Sequence, residues 1–134
     1  MYLIIVGAGA VTKQLVAIAQ KQGHEIAIIE EEAERARKIM QEFDVSIFQA
    51  NIAQGGILDE ADVDRADAII ATTNDDSINL MAMILGKQHQ VKNLVTLLQE
   101  AQHQAMFEKL GVRVLSDPEK LIAQQLFSFI DSDK

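Results

Sequence analysis

Apolar positions along the chain alternate between two periods. Tyr2 to Val6 is an unbroken apolar run closed by Gly7, as expected of a strand buried on both faces. Val11, Leu15, Ile18 and Ala19 then recur at helical spacing, and Gly23 stands where a glycine just past a helix end belongs. Ile26 to Ile29 is a second strand, followed by a helix from about Glu32 to Phe43 with Ala33, Ala36, Ile39, Met40 and Phe43 on one face. Val45 to Phe48, Ala68 to Ala71, Leu94 to Leu98 and Val112 to Leu115 supply four more short strands. Between them the pattern predicts a short helix near Ile57 to Ala61 and another capped by Asp75 or Asp76 and running to about His89. A further helix runs from about Ala101 to Leu110, and Pro118 opens the last one, Glu119 to Ile130.

Strands alternating with helices require right-handed crossovers, hence a parallel sheet covered on both faces. The only glycine-rich loop leading into a helix follows the first strand. The reading is therefore α/β: a doubly wound Rossmann fold, a six-stranded parallel sheet of order 3-2-1-4-5-6 with helices on both faces. A flavodoxin-like order shares the periodicity but usually lacks that glycine loop.

Length and charge narrow the function. At 134 residues the chain reads as one domain, 1–134, too small to pair a cofactor domain with a substrate domain. Without cysteine it has no disulfide, thiolate zinc site or cysteine nucleophile, which fits a reducing compartment. A formal charge of −8, with basic residues scattered rather than clustered, argues against nucleic acid and anionic lipid as partners. The first residues lack the basic region of a signal peptide, and no apolar run approaches the roughly 18–20 residues that span a bilayer. The expectation is a cytoplasmic domain without direct membrane insertion.

Gly7-Ala8-Gly9-Ala10-Val11-Thr12 joins the first strand to the first helix. Gly7 permits the tight turn, Gly9 leaves room for a pyrophosphate, and the first-turn amides with the helix dipole hold the anion. Thr12 replaces the third glycine of the usual pattern; it is expected either to push the helix outward or to donate its hydroxyl to a phosphate. Glu30 ends the second strand, 21 residues beyond Gly9. A carboxylate there accepts both hydroxyls of an adenosine ribose and repels a 2′-phosphate; otherwise Glu30 belongs with Glu31 and Glu32 to a solvated acidic turn. Asn51 and its neighbours follow the third strand, where they can border an adenine. Thr72, Thr73 and Asn74 follow the fourth strand, placed either to touch ribose or phosphate or simply to cap the next helix.

Catalytic groups are sparse. His24, His89 and His103 have no metal-ligand spacing, no nucleophile triad or P-loop is present, and Glu108 reads as a solvated helix residue. No catalytic or metal-binding residue is assigned.

Several segments match a specific pattern. Gly7-Ala8-Gly9, Gly23-His24-Glu25, Ile29-Glu30, Arg65 to Thr72, Asn79-Leu80, Phe107 to Val112 and Ser116-Asp117-Pro118-Glu119 together resemble the RCK N-terminal domain, in order and over the whole chain. This is the nucleotide-binding Rossmann domain of Trk and Ktr potassium-uptake regulatory subunits and of potassium-channel gating rings. The resemblance implies a non-enzymatic regulatory domain that binds NAD(H), ADP or ATP and controls a membrane potassium transporter or channel. It also implies a homodimer or larger ring, peripheral at the inner face of the membrane through its partner. Carried over by position, Gly7, Gly9, Val11 and Thr12 line the phosphates, Glu30 the ribose, Asn51 and Ile52 the adenine, and Thr72 and Thr73 the inner ribose or phosphate. Three positions depart from the family pattern: Thr12 for a third glycine, Ala10 for a basic residue, and Asn51 for an acidic one. A second domain usually follows in this family, so the chain is expected to be a fragment or a single-domain member.

Two other readings stand beside this one: a small NAD-dependent oxidoreductase or a fragment of one, and a Rossmann-like assembly module with weak or lost ligand binding. Because the glycine loop offers only amides and Thr12, with Glu30 to Glu32 nearby, NAD(H) is expected ahead of ADP or ATP. The helix Ser77 to Leu85 and the last helix carry more apolar residues than one stripe can bury. A homodimer is therefore expected, with Ile78, Met81, Leu85, Phe127 and Ile130 in the contact.

Overall fold

The structure, a computed structural model, describes residues 1–131. Strands β1 (Tyr2–Val6), β2 (Glu25–Glu30), β3 (Ser46–Gln49), β4 (Ala68–Ala71), β5 (Asn93–Leu98) and β6 (Arg113–Ser116) form one parallel sheet. Their order is β3-β2-β1-β4-β5-β6, as the sequence predicts. The helices are α1 (Ala10–Lys21), α2 (Ala33–Glu42), α3 (Ile57–Glu60), α4 (Asp76–Gln88), α5 (Gln104–Glu108) and α6 (Pro118–Asp131).

Alternate residues of the central strands feed two cores. Ile4 and Val6 of β1 join Ala27, Ile29, Ile69 and Ala71 beneath Ala82 and Met83 of α4 and Phe107 of α5. Leu3 and Ile5 join Ile26, Ile28 and Ala68 beneath Val16 and Ala19 of α1 and Ile39 of α2. Burial on both faces is why these strands read as continuous apolar runs.

The first helix packs only part of the expected apolar face, with Ala19 buried and Leu15 half-buried against the core. Val11 and Ile18 are exposed, and the buried positions are Thr12, Val16 and Ala19. That face is also spaced i, i+4, i+7, rotated from the expected one, and it tolerates a threonine because the hydroxyl finds a partner. Ala33 and Met40 of α2 likewise face outward, leaving Ala36 and Ile39 to pack. The helix expected from Ala101 to Leu110 is shorter: a 3-10 turn at Ala101–His103 precedes α5.

Helix α4 starts at an N-cap, Asp75, whose carboxylate accepts from the Ser77 and Ile78 amides. Its buried face is Asn79, Ala82, Met83 and Gly86. A Cβ on Gly86 would stand 2.6 Å from Leu94 Cδ2, which shows how closely α4 lies on β5. In contrast, α6 buries none of its residues, and Leu121, Ile122, Leu126, Phe127, Phe129 and Ile130 are all exposed. No helix among the described residues is long and apolar enough to cross a membrane.

Candidate functional site

The winding reverses at β1, which pairs with β2 on one side and β4 on the other. Ligands of open α/β sheets bind beyond the carboxyl ends of strands at such a point. Two adjoining cavities lie there. The larger, about 390 Å³, is lined by Gly7, Glu30 to Glu32, Arg35, Ala50, Ile52, Thr73 to Asp75 and Ile78, among others. The smaller, about 200 Å³, is lined by Gly7, Ala8, Gly9, Arg35 and Thr72 to Asn74.

Gly7 holds φ +113°, and a Cβ on it would meet Thr72 Oγ1 at 2.7 Å. Only glycine suits both the conformation and the space. Gly9, by contrast, has nothing within 4 Å of where its Cβ would be. It is the N-cap of α1, and no side chain caps that helix. The first-turn amides of Ala10, Val11 and Thr12 are thus left for an external acceptor. Neither the Ala10 nor the Val11 side chain lines a cavity, and both are exposed.

The Thr12 hydroxyl is engaged within the protein itself. It is fully buried, donates to the Gly7 carbonyl at 2.7 Å and lies 2.8 Å from Thr72 Oγ1. The side chain ties α1 to the glycine loop and β4, so what it can offer a phosphate is its amide and not its hydroxyl.

Glu30 is 8% exposed. One carboxylate oxygen accepts from Ala8 N–H and the other from Glu32 N–H, each at 2.9 Å. The reading of Glu30 as part of a solvated acidic turn therefore does not hold. Each oxygen keeps lone-pair capacity for a further donor, and the carboxylate is already oriented by the glycine loop itself. Ile52 is buried and helps form the larger cavity. Asn51 does not: its Oδ1 accepts from Ala53 N–H and its Nδ2 donates to Glu31, so it shapes the turn after β3.

Thr72 and Thr73 are held from behind. The Thr72 hydroxyl lies 3.2 Å from the Val6 carbonyl as well as beside Thr12. Thr73 is fixed by Asn79, whose Oδ1 accepts from the Thr73 amide and hydroxyl while its Nδ2 donates to the Thr73 and Leu97 carbonyls. Asn79 is fully buried, a polar side chain on the core face of α4. That misplaced polarity was its signal in the sequence, where it attracted no role.

The sequence offers Asp76 only as a capping candidate. Its carboxylate accepts from the Gln99 and Glu100 amides and lies 2.8 Å from His103 Nδ1, fastening the β5–α5 loop to α4. Burial works to raise this carboxyl, but the hydrogen bonds from Gln99, His103 and Glu100 outweigh it and hold the group below its usual range. Arg35, missed entirely, borders both cavities. Its position five residues past Glu30, in the first turn of α2, was the available clue.

With this geometry in place, comparison with known proteins is decisive about kinship. A family model for the TrkA-N domain matches residues 3–118. The chain belongs to the TrkA-N domain family. A Trk system potassium uptake protein TrkA homolog from Methanothermobacter thermautotrophicus is 28% identical over the whole of this chain, which spans 62% of that relative's length. Among solved structures, the TrkA-N domain of the inner membrane protein ybaL from Escherichia coli superimposes with a TM-score of 0.83. Its identity is 17%, covering 96% of this chain and 95% of that one. The GsuK channel bound to NAD gives a TM-score of 0.76 at 16% identity, covering 85% of this chain and 21% of that one. GsuK has also been solved bound to ADP. At these identities the likeness is one of fold.

Proposed function

We propose that this TrkA-N domain is a regulatory nucleotide-binding domain of a potassium transport system, with no catalytic role of its own. The observation that carries the reading is the Glu30 carboxylate, aimed into the larger cavity and hydrogen-bonded to the glycine loop through Ala8. Hydroxyls of an adenosine ribose are the natural donors for a carboxylate so placed, and a 2′-phosphate is repelled. Gly7, Gly9 and the amides of Ala10, Val11 and Thr12 then receive the phosphates. Ile52 supports the base, while Thr72 and Thr73 set the inner wall.

NAD(H) remains the leading ligand, with ADP or ATP as alternatives, but for a changed reason. The supposed lack of a cation near the phosphates does not hold, because Arg35 lines both cavities. Two adjoining cavities instead suit a ligand longer than a mononucleotide. The names of the relatives, a Trk system potassium uptake protein and the GsuK channel bound to NAD, support the same assignment.

A partner surface accompanies this reading. Helix α6 exposes six large apolar side chains, with Phe127 at 64% and Ile130 at 73%. Of the α4 residues expected in a contact, Met81 is exposed, whereas Ile78 and Leu85 pack against the core. The domain assembles as a homodimer through α6 and acts on a membrane transporter or channel subunit.

Equilibrium binding of NADH, NAD, ADP and ATP to the purified protein tests the ligand. Glu30→Ala is expected to weaken whichever binds by roughly tenfold or more, since hydrogen bonds to a charged group contribute about 1.5–3 kcal/mol. Unchanged affinity in that variant removes the assignment.

A further inference from the structure

We infer that Arg35 reads the phosphate chain of the bound nucleotide, a role that rests on the ligand reading above. Four carboxylates, Glu30, Glu31, Glu32 and Asp75, line the larger cavity, and Arg35 is the one cationic side chain among the residues lining either cavity. It occupies the shared wall. A ligand held at one end by Glu30 and at the other by the amides beside Gly9 must pass it.

The placement of Arg35 is built rather than incidental. Glu30 fixes both the glycine loop and the start of the next segment, through Ala8 N–H and Glu32 N–H. Helix α2 begins at Ala33, so Arg35 sits in its first turn, close behind that double tether. Glu32 Oε2 lies 3.3 Å from Arg35 Nε, an ion pair between two half-exposed side chains. The terminal nitrogens have no partner among the described residues. A planar, permanently charged fork that borders both cavities suits two phosphate oxygens.

This arrangement divides recognition between two charges. Glu30 selects the neutral, hydroxyl-bearing ribose, and Arg35 offsets the surrounding acidity where the phosphates lie. It also supplies, from the second helix, the cation that Ala10 fails to provide in the glycine loop. Discrimination by phosphate number follows: adenosine should ignore Arg35, AMP should feel it weakly, and ADP and NAD strongly.

Calorimetric titration of adenosine, AMP, ADP and NAD into the wild type and Arg35→Gln provides the test. Loss of one charge-assisted contact is expected to weaken ADP and NAD about tenfold while leaving adenosine within about twofold. Thermal unfolding of each variant checks folding, and Arg35→Lys, which keeps the charge without the fork, serves if Arg35→Gln is unstable; it is then expected to recover part of the ADP affinity. Equal losses for adenosine and ADP, or none for either, overturn the role of Arg35 while the ligand reading stands. A wild type that binds none of the four overturns both.

Discussion

Thr12 and Thr72, sixty residues apart, meet hydroxyl to hydroxyl at 2.8 Å across the base of the glycine loop. Both also contact main-chain carbonyls at the end of β1, Thr12 at Gly7 and Thr72 at Val6. The loop that would receive phosphate and the loop after β4 are thereby joined in one buried hydrogen-bonded cluster. Thr73, next in that loop, is in turn hydrogen-bonded to Asn79 of α4.

Thr12→Val keeps the shape of the side chain and removes its hydroxyl. It leaves the Gly7 carbonyl without its side-chain donor, so a loss of about 1–3 kcal/mol in stability is expected. Chemical denaturation measures it. A variant as stable as the wild type would show that the cluster contributes nothing.

Gly9→Ala separates binding from folding. The backbone at Gly9 has φ −89° and open space around the missing Cβ, so the unfolding midpoint is expected to stay within about 2 °C of the wild type. Nucleotide affinity should nevertheless fall by tenfold or more, because the methyl group occupies the approach to the first-turn amides. Intact affinity would place the phosphates elsewhere.

Phe127→Asp tests assembly. The side chain is exposed in the single chain, so folding should survive while a charge enters the apolar surface of α6. Light scattering should find a wild-type dimer and a variant near the 14.8 kDa of one chain. A wild type already monomeric at micromolar concentration removes the interface.

Asp76 predicts a pH dependence. Its folded carboxyl is held below the ordinary range, so the stability it contributes is complete above about pH 5 and is lost as the pH falls through the folded value. Asp76→Asn should therefore cost about 2 kcal/mol at pH 7, with the gap to the wild type narrowing only as the pH falls through the lowered folded value. Denaturation midpoints at several pH values give the comparison; a gap independent of pH would contradict it.

The sequence by itself determined the fold, because its signals are local and repeated. Apolar runs in Tyr2–Val6 and Ala68–Ala71, the helical spacing between them and Pro118 at the start of α6 each constrain only their own segment. The right-handed crossover then leaves few sheet orders. Gly7, Gly9 and Glu30 were legible for the same reason, since each sits at a strand end whose place follows from topology. Tertiary structure alone decided what the polar side chains do. Whether the Thr12 hydroxyl faces a phosphate or the Gly7 carbonyl depends on how α1 is rotated, and that rotation leaves Val11 and Ile18 in solvent while Leu15 and Ala19 pack. Asn51 shapes the turn after β3, and Asn79, which in the sequence carried only part of the family resemblance, clamps Thr73. Arg35 acquired its place only when α2 was laid beside the glycine loop. Hydrophobic periodicity is averaged over many residues and survives local error, whereas a hydrogen bond requires two atoms to meet within a few tenths of an ångström, often from segments far apart in the chain.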